Sequence, residues 1–495
     1  AWVRVAARDD LRGVGVSGAK SPLDGHFDWD TYLPFWGTLA PYDGEVRPGR
    51  NSVCALVEAD TTGFFPVDGG AFAALIRLHR ADGSVDRITG SAFRVMPDAP
   101  ETWTDTGFDA RSWAPVVPST SWAQGDPRPS EPAMLLRTGF AVSKPVVAAR
   151  LYATALGAYD ARINGHKVSE AILAPEITVA KSHILYQTHD VTALIAQGEN
   201  ALGAVVGDGF YASPFGWRIE RYGFGPAPRR FRAMLRIDYE DGTHDWVTTG
   251  PDWKIATSPI LKSEIYDGET FDARCIVPGW SAPGFDISGW AAVKLGAAPE
   301  AALVAQTSPL LERNGVCRAV SVSEPVPGRF IFDFGQNFSG WVRIRATGAA
   351  GTTITAKFAE LLNADGTADL SNLRLAKATD RFTLAGTGAP ESFEPHFTYH
   401  GFRYVEVAGY PGMPTADDIA GVIVHSACRE VGAMTFPDAP LLQSIWNNAL
   451  WSQRSNFFAV PTDCPQRDER MGWMGDIQVF LDAAAFNMEV DPFIR

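Results

Sequence analysis

The chain has 495 residues, of which 46% are hydrophobic and 20% charged, with a formal net charge of −14. That length holds about three or four domains with cores of their own, and the composition excludes a disordered chain. The acidic balance disfavours nucleic acid and anionic membrane surfaces as partners, and the most apolar stretches, such as 146–159, are short and broken by Arg150, so none can span a bilayer.

Cys54, Cys275, Cys317, Cys428 and Cys464 are scattered, odd in number and without a CxxC pair, which argues against a disulfide framework or a zinc site. Cys464 lies in a charged stretch with no histidine near it in sequence and reads as a packed thiol. No signal peptide is legible before the first strand-like run, so periplasmic or secreted and cytoplasmic locations both stay open, as does the oligomeric state.

Residues 1–128 read as a first β-sandwich-like domain, because short apolar runs (2–7, 52–57, 72–78) alternate with Gly, Pro and Asp turns. Gly13, Gly15 and Gly18 spell GxGxxG, but their flanks supply neither the preceding strand nor the following helix that a dinucleotide site needs. Pro118, Pro127, Pro129 and Pro132 mark a linker at 117–132.

Residues 129–300 read as a second sandwich, jelly-roll-like, with Asn164-Gly165, Asp208-Gly209, Asp241-Gly242 and Asp267-Gly268 marking turns where φ must be positive. Gly107-Phe108-Asp109 with Trp113 recurs as Gly284-Phe285-Asp286 with Trp290, which suggests that the two sandwiches end in the same corner. Asp267, Glu269 and Asp272 can offer oxygens to calcium, but they lack a full ligand pattern and surface turn carboxylates are the plainer reading. Phe210, Tyr211, Phe215, Trp217 and Tyr222 form an aromatic cluster that fits core packing better than a sugar platform.

Residues 301–425 read as a third sandwich. The segment 341–346, Trp-Val-Arg-Ile-Arg-Ala, alternates as a half-buried antiparallel strand does. Asn337-Phe338-Ser339 fits a glycosylation sequon, a pattern common by accident, and the strand-like context of His396 and His400 removes a helical zinc motif.

From residue 426 to 495 the period becomes helical. Asp438 can cap a helix on which Leu441, Leu442, Ile445, Trp446, Ala449 and Leu450 share a face, and 476–487 forms a second helix around Ile477, Phe480, Leu481 and Ala484. Between them stands PTDCPQRDERMGWMGD, kept out of a continuous helix by Pro461, Pro465, Gly472 and Gly475. A loop so rich in carboxylates and guanidinium groups, with one indole, suits a sugar: the charges bind hydroxyls, the ring covers an apolar face, and a carboxyl group protonates a glycosidic oxygen. A solvated acidic loop with local ion pairs is the other reading of the same residues.

The stretch 463–476, DCPQRDERMGWMGD, resembles the signature of the bacterial α-L-rhamnosidases of glycoside hydrolase family 78. ARINGHKV (161–168), GDGFY (207–211), YDGETFDAR (266–274), FDFGQNFSG (332–340) and HGFRYVEV (400–407) resemble the sandwiches that precede that family's barrel. The resemblance implies a multidomain chain in which β-sandwich domains lead into the start of an all-α (α/α)6 barrel. It implies an inverting exo-α-L-rhamnosidase acting on rhamnose-containing glycosides, with no organic cofactor and with calcium left open. Glu469 matches the family's general acid; Asp463, Arg467, Asp468 and Asp476 match residues that hold rhamnose hydroxyls; Trp473 matches an aromatic wall.

Crowding by Asp463, Asp468 and Asp476 is expected to raise the Glu469 pKa, and Arg467 and Arg470 to oppose it. The partner base is a downstream Glu in the family, which implies that this sequence is the N-terminal portion of a longer polypeptide. A carbohydrate-binding protein without catalysis, or a glycosidase of the same fold acting on another deoxysugar, are the alternatives.

Overall fold

The computed structural model describes residues 130–216, 221–225 and 227–495 in full and, before residue 130, the backbone of nine strands. Two compact units divide at Ala1–Pro127 and Arg128–Arg495. In the first, Trp2–Ala7 pairs with Ala40–Asp43 and Phe72–His79, and Asp10–Val16 pairs antiparallel with Ala19–Ser21 and Val53–Glu58. Gly13 and Gly15 thus lie on a strand whose next described element is its own antiparallel partner, Ala19–Ser21, and not a helix. Gly18, the first copy of the Gly-Phe-Asp corner apart from Ala114-Pro115, residues 117–129 of the linker, and Trp217 fall outside the described residues.

The second unit is built mostly from sheet. A six-stranded sheet (His166–Lys167, Ala158–Ile163, Gly198–Gly207, Met134–Val142, Lys254–Thr257, Ala291–Ala292) accompanies a five-stranded one (His244–Thr248, Arg230–Tyr239, Val146–Leu156, His183–Asp190, Ala302–Ala305). Both contribute alternate apolar side chains to one core, among them Leu151, Leu202, Val206, Leu235 and Ile237. Phe285 and Trp290 pack edge to face at 6.0 Å, with Trp290 stacked on Trp280.

A ten-stranded sheet follows, centred on the long Arg329–Ala346 strand. Its C-terminal part alternates as expected from Val342 on, with Val342, Ile344 and Ala346 buried and Arg343 and Arg345 exposed, while Trp341, on the arginine face, is buried as well. The Ile260–Glu264 and Gly268–Asp272 hairpin belongs to this sheet: Gly268–Asp272 runs parallel to Thr379–Thr383. The sheet therefore draws on chain from both sides of residue 300. Its core is aromatic, with Phe332, Phe338, Phe358, Phe402 and Tyr399, and it includes Phe215, Tyr266 and, from beyond the sheet, Phe458. Phe210, Tyr211 and Phe215 are accordingly core residues.

Two long helices, Pro440–Asn456 and Met474–Asn487, and a short one, Asp491–Ile494, form the chain's last segment. The first begins one residue later than an Asp438 cap would place it, with Ala439 at the cap position and Pro440 in the first turn. Leu441, Leu442 and Ile445 are exposed, contrary to the single apolar face expected; burial is confined to the C-terminal half, where Leu450, Gln453 and Ser455 lie. Ile477 and Ala484 of the second helix are buried as expected. Asn487 Nδ2 donates to Gln453 Oε1 at 2.9 Å and Gln453 Nε2 to the Ala484 carbonyl at 3.2 Å, which fixes one helix on the other.

Candidate active site

The charged stretch is a loop whose neck is closed on itself. Thr462 and Gly472 form a bridge, and Trp473 N–H donates to the Pro461 carbonyl at 3.3 Å. Arg470 roots the loop in the protein. Its side chain is fully buried and donates to the carbonyls of Ile265 (2.9 Å), Tyr399 (2.6 Å), Gln466 (2.8 Å) and Arg467 (3.0 Å). Four carbonyl dipoles and the flanking rings of Tyr266 and Tyr399 take the place of a carboxylate partner. These bonds hold Arg470 at φ 53°, a conformation an L-residue rarely adopts. Beside it, Phe458 stacks on Tyr399 with ring centres 3.6 Å apart, and Tyr266 donates its hydroxyl to the Glu469 carbonyl at 2.6 Å.

This anchoring turns the neighbouring side chains toward one another. Glu469 Oε2 accepts from Arg374 Nη2 at 2.7 Å and from Arg467 Nε at 3.1 Å. Arg467 Nη2 reaches Asp463 Oδ2 at 2.8 Å, and Arg374 Nε reaches Asp468 Oδ1 at 2.7 Å. Two guanidinium groups thus thread three carboxylates, with Glu469 at the centre. Arg374 was not legible in the sequence: it follows the Ser371–Leu373 turn and meets the loop only through the fold. Arg470, expected to act on Glu469, instead faces the interior carbonyls.

The electrostatics follow from this threading. Burial alone raises the Glu469 pKa, but hydrogen bonds and charge from Arg467 and Arg374 outweigh it, so the carboxyl lies below its ordinary value. Burial holds Asp468 above the ordinary range against the pull of Arg374. Burial and then the Glu469 charge push Asp463 up, against the Cys464 thiol, Arg467 and the Met471 amide. The resolved Glu469 shift is therefore opposite to the one that carboxylate crowding alone predicts.

Asp463 also lines a cavity of about 180 Å³ between the two helices, together with Asp476, Asn456, Pro461, Ile477 and Phe480. Glu469, Arg467, Asp468 and Trp473 are not part of that lining. Asp476 sits in the first turn of the Met474–Asn487 helix, where a carboxylate is favoured by the helix dipole, and Trp473 is half-buried at the cap position.

Among the described residues, one group of potential metal donors lies within 4.8 Å: Asp463, Cys464 and Glu469. Burial pushes the Cys464 thiol up to about 12, and both carboxylates already face guanidinium groups, so this group suits a shared proton better than a cation. The three carboxylates weighed for calcium do not converge. Asp267 pairs with Lys262 and Lys377, Asp272 with Arg274, and buried Glu269 accepts the amides of His396 and Phe397. His400 lies on a strand, stacked on Phe358 and 3.2 Å from Asp380.

Residues 144–314 match the α-L-rhamnosidase N-terminal domain, 323–425 the bacterial α-L-rhamnosidase concanavalin-like domain, and 432–495 the bacterial α-L-rhamnosidase 6 hairpin glycosidase domain. An α-L-rhamnosidase of Streptomyces avermitilis is 39% identical over 98% of this chain and 47% of its own length. One from Formosa agariphila is 37% identical over 72% of this chain and 39% of its own. The solved S. avermitilis enzyme complexed with L-rhamnose superposes with a TM-score of 0.72 at 36% identity, covering 99% of this chain and 47% of that one. The native Aspergillus terreus enzyme gives 0.71 at 30% identity, covering 99% and 52%. The chain thus spans about half the length of the relatives it matches.

Proposed function

The chain belongs to the bacterial α-L-rhamnosidase family, and from that premise we propose that it carries the proton-donating half of an enzyme that removes terminal α-L-rhamnose from glycosides with inversion. The observation that carries the reading is Glu469 held at the centre of a carboxylate and guanidinium thread on an anchored loop. In this reading residues 1–128, 129–300 and 301–425 are sandwich domains, and 426–495 opens an (α/α)6 barrel.

Glu469 delivers its proton to the glycosidic oxygen as the bond from that oxygen to the anomeric carbon breaks. Water adds to the opposite face of the sugar, activated by a base in the remainder of the full-length protein, with the two carboxyl groups roughly 6.5 to 9.5 Å apart. Asp463 and Asp476, which share the cavity, bind rhamnose hydroxyls together with Arg467, and Trp473 covers the apolar side of the ring.

A proton donor must be protonated when it acts, and Arg467 provides the means. It is the more exposed of the two guanidinium partners of Glu469, at 32% against 16% for Arg374. Sugar hydroxyls that draw Arg467 away remove one of the lowering hydrogen bonds. Burial then counts for more and the Glu469 pKa rises in the complex. Following the first-formed sugar by proton NMR during hydrolysis of an aryl α-L-rhamnoside by the full-length gene product tests the reading. The β-anomer supports it; the α-anomer removes inversion, and no rhamnose at all favours a carbohydrate-binding role.

A further inference from the structure

We propose that Arg374, contributed by the β-sheet region, is a positioning residue that fixes Glu469, and that Asp468 acts through Arg374 rather than on the sugar. The inference rests on reading Glu469 as the proton donor.

One planar guanidinium straddles two successive carboxylates, Nε on Asp468 and Nη2 on Glu469, each at 2.7 Å. The side chains are largely buried, with 16% of Arg374, 5% of Asp468 and 13% of Glu469 exposed. A fork in this geometry fixes both the distance and the tilt of the carboxyl groups it spans, which a lysine ammonium does not. The segment that offers it is held from several sides. Leu373 is buried in the aromatic core, Asn372 donates to Glu360 Oε2 at 2.8 Å, and Arg374 itself is kept at φ 56°.

Asp468 grips the same segment twice, through the Arg374 side chain and the Leu375 backbone N–H. A carboxylate so enclosed has little surface left for a hydroxyl. Arg467, by contrast, belongs to the loop and stands more exposed, so it can leave Glu469 when a sugar enters while Arg374 stays. The charged or titratable groups facing Glu469 are Arg374, Arg467, Asp463 and the Cys464 thiol, with Asp468 on the other arm of the Arg374 fork. Tyr266 touches Glu469 at its backbone carbonyl and not at its carboxylate, and Arg470 is turned to other carbonyls.

The test is a carboxyl-carbon NMR titration of Glu469 in the full-length product and in its R374Q, R374K and D468N variants. Loss of a cation at this distance shifts a carboxylate by about one to three pH units, so R374Q should raise the Glu469 midpoint by about one unit or more, with R374K between. D468N separates positioning from simple charge. Removing a negative neighbour by itself lowers the Glu469 midpoint, whereas freeing Arg374 from its anchor raises it. A rise in both R374Q and D468N supports the proposal.

An unmoved midpoint in R374Q, or a fall in D468N, overturns it. So does loss of cooperative urea unfolding in all three variants, because the pair would then be a strut of the fold. No turnover is needed for this measurement. Shifts as expected in a protein whose full-length form releases no rhamnose would sink the enzymatic reading and leave the clamp standing.

Discussion

Arg470 donates to the Tyr399 carbonyl at 2.6 Å while its guanidinium lies 4.8 Å from the centre of the Tyr399 ring. One side chain thereby ties the charged loop to the core of the ten-stranded sheet. Replacing it with methionine takes a donor from four carbonyls: those of Ile265 and Arg467 still accept from Thr398 Oγ1 at 3.3 Å and the Glu469 N–H at 3.0 Å, whereas those of Tyr399 and Gln466 lose the guanidinium that satisfies them. Each buried acceptor so orphaned costs about 1 to 3 kcal/mol, so R470M should lose about 3 kcal/mol or more in urea unfolding. R470K should lose nearly as much, since an ammonium lacks the fork. A loss under about 0.5 kcal/mol, the range of ordinary surface substitutions, would contradict this anchoring role.

The loop also depends on the absence of a side chain beneath it. A Cβ at Gly401 would stand 2.5 Å from Pro465 Cγ and 3.0 Å from the Pro465 carbonyl carbon. Gly401 is held in the His400–Ala408 strand, so the loop has to give way. G401A should lose about 1 to 3 kcal/mol of stability, as overpacked sites do, and rhamnoside hydrolysis by the full-length product should fall with it. Unchanged activity would mean that the loop tolerates displacement.

A third prediction concerns pH. Glu176 is buried and its pKa is raised to about 7 by desolvation, against a hydrogen bond from the Leu311 amide and one involving Gln306. The native state therefore holds a proton that the unfolded chain has released above pH 4.5, the ordinary value. The stabilisation is fully present below that value and is lost as pH rises through 7. E176Q keeps an acceptor for Leu311 without a charge. It should be more stable than the parent at pH 8 by up to ~3 kcal/mol, with the advantage fading below pH 5. Urea midpoints that differ equally at both pH values would refute the assignment.

Much of the fold was legible because strands alternate and helices recur locally: residues 341–346 and the Ile477 and Ala484 face were read from periodicity alone. The site was legible only along the chain. Glu469, Asp463 and Arg467 are neighbours in sequence and meet in space, whereas Arg374 stands 95 residues before Glu469 and carries no local signal. Arg470 misled for the converse reason. Adjacency to Glu469 suggested a shared field, but successive residues can face opposite ways, and its four carbonyl partners lie inward. The exposure of Leu441, Leu442 and Ile445 shows the same limit, since periodicity defines a face without saying what covers it.

The most direct test of proton donation by Glu469 is the leaving-group dependence of hydrolysis by the full-length product and its E469Q variant. Loss of a general acid typically costs about 10²- to 10⁴-fold. The account predicts that loss for an alkyl α-L-rhamnoside, whose departing oxygen needs the proton, and a much smaller one for a dinitrophenyl rhamnoside, which leaves without it. An equal effect of E469Q on both substrates, or none on either, would contradict the account.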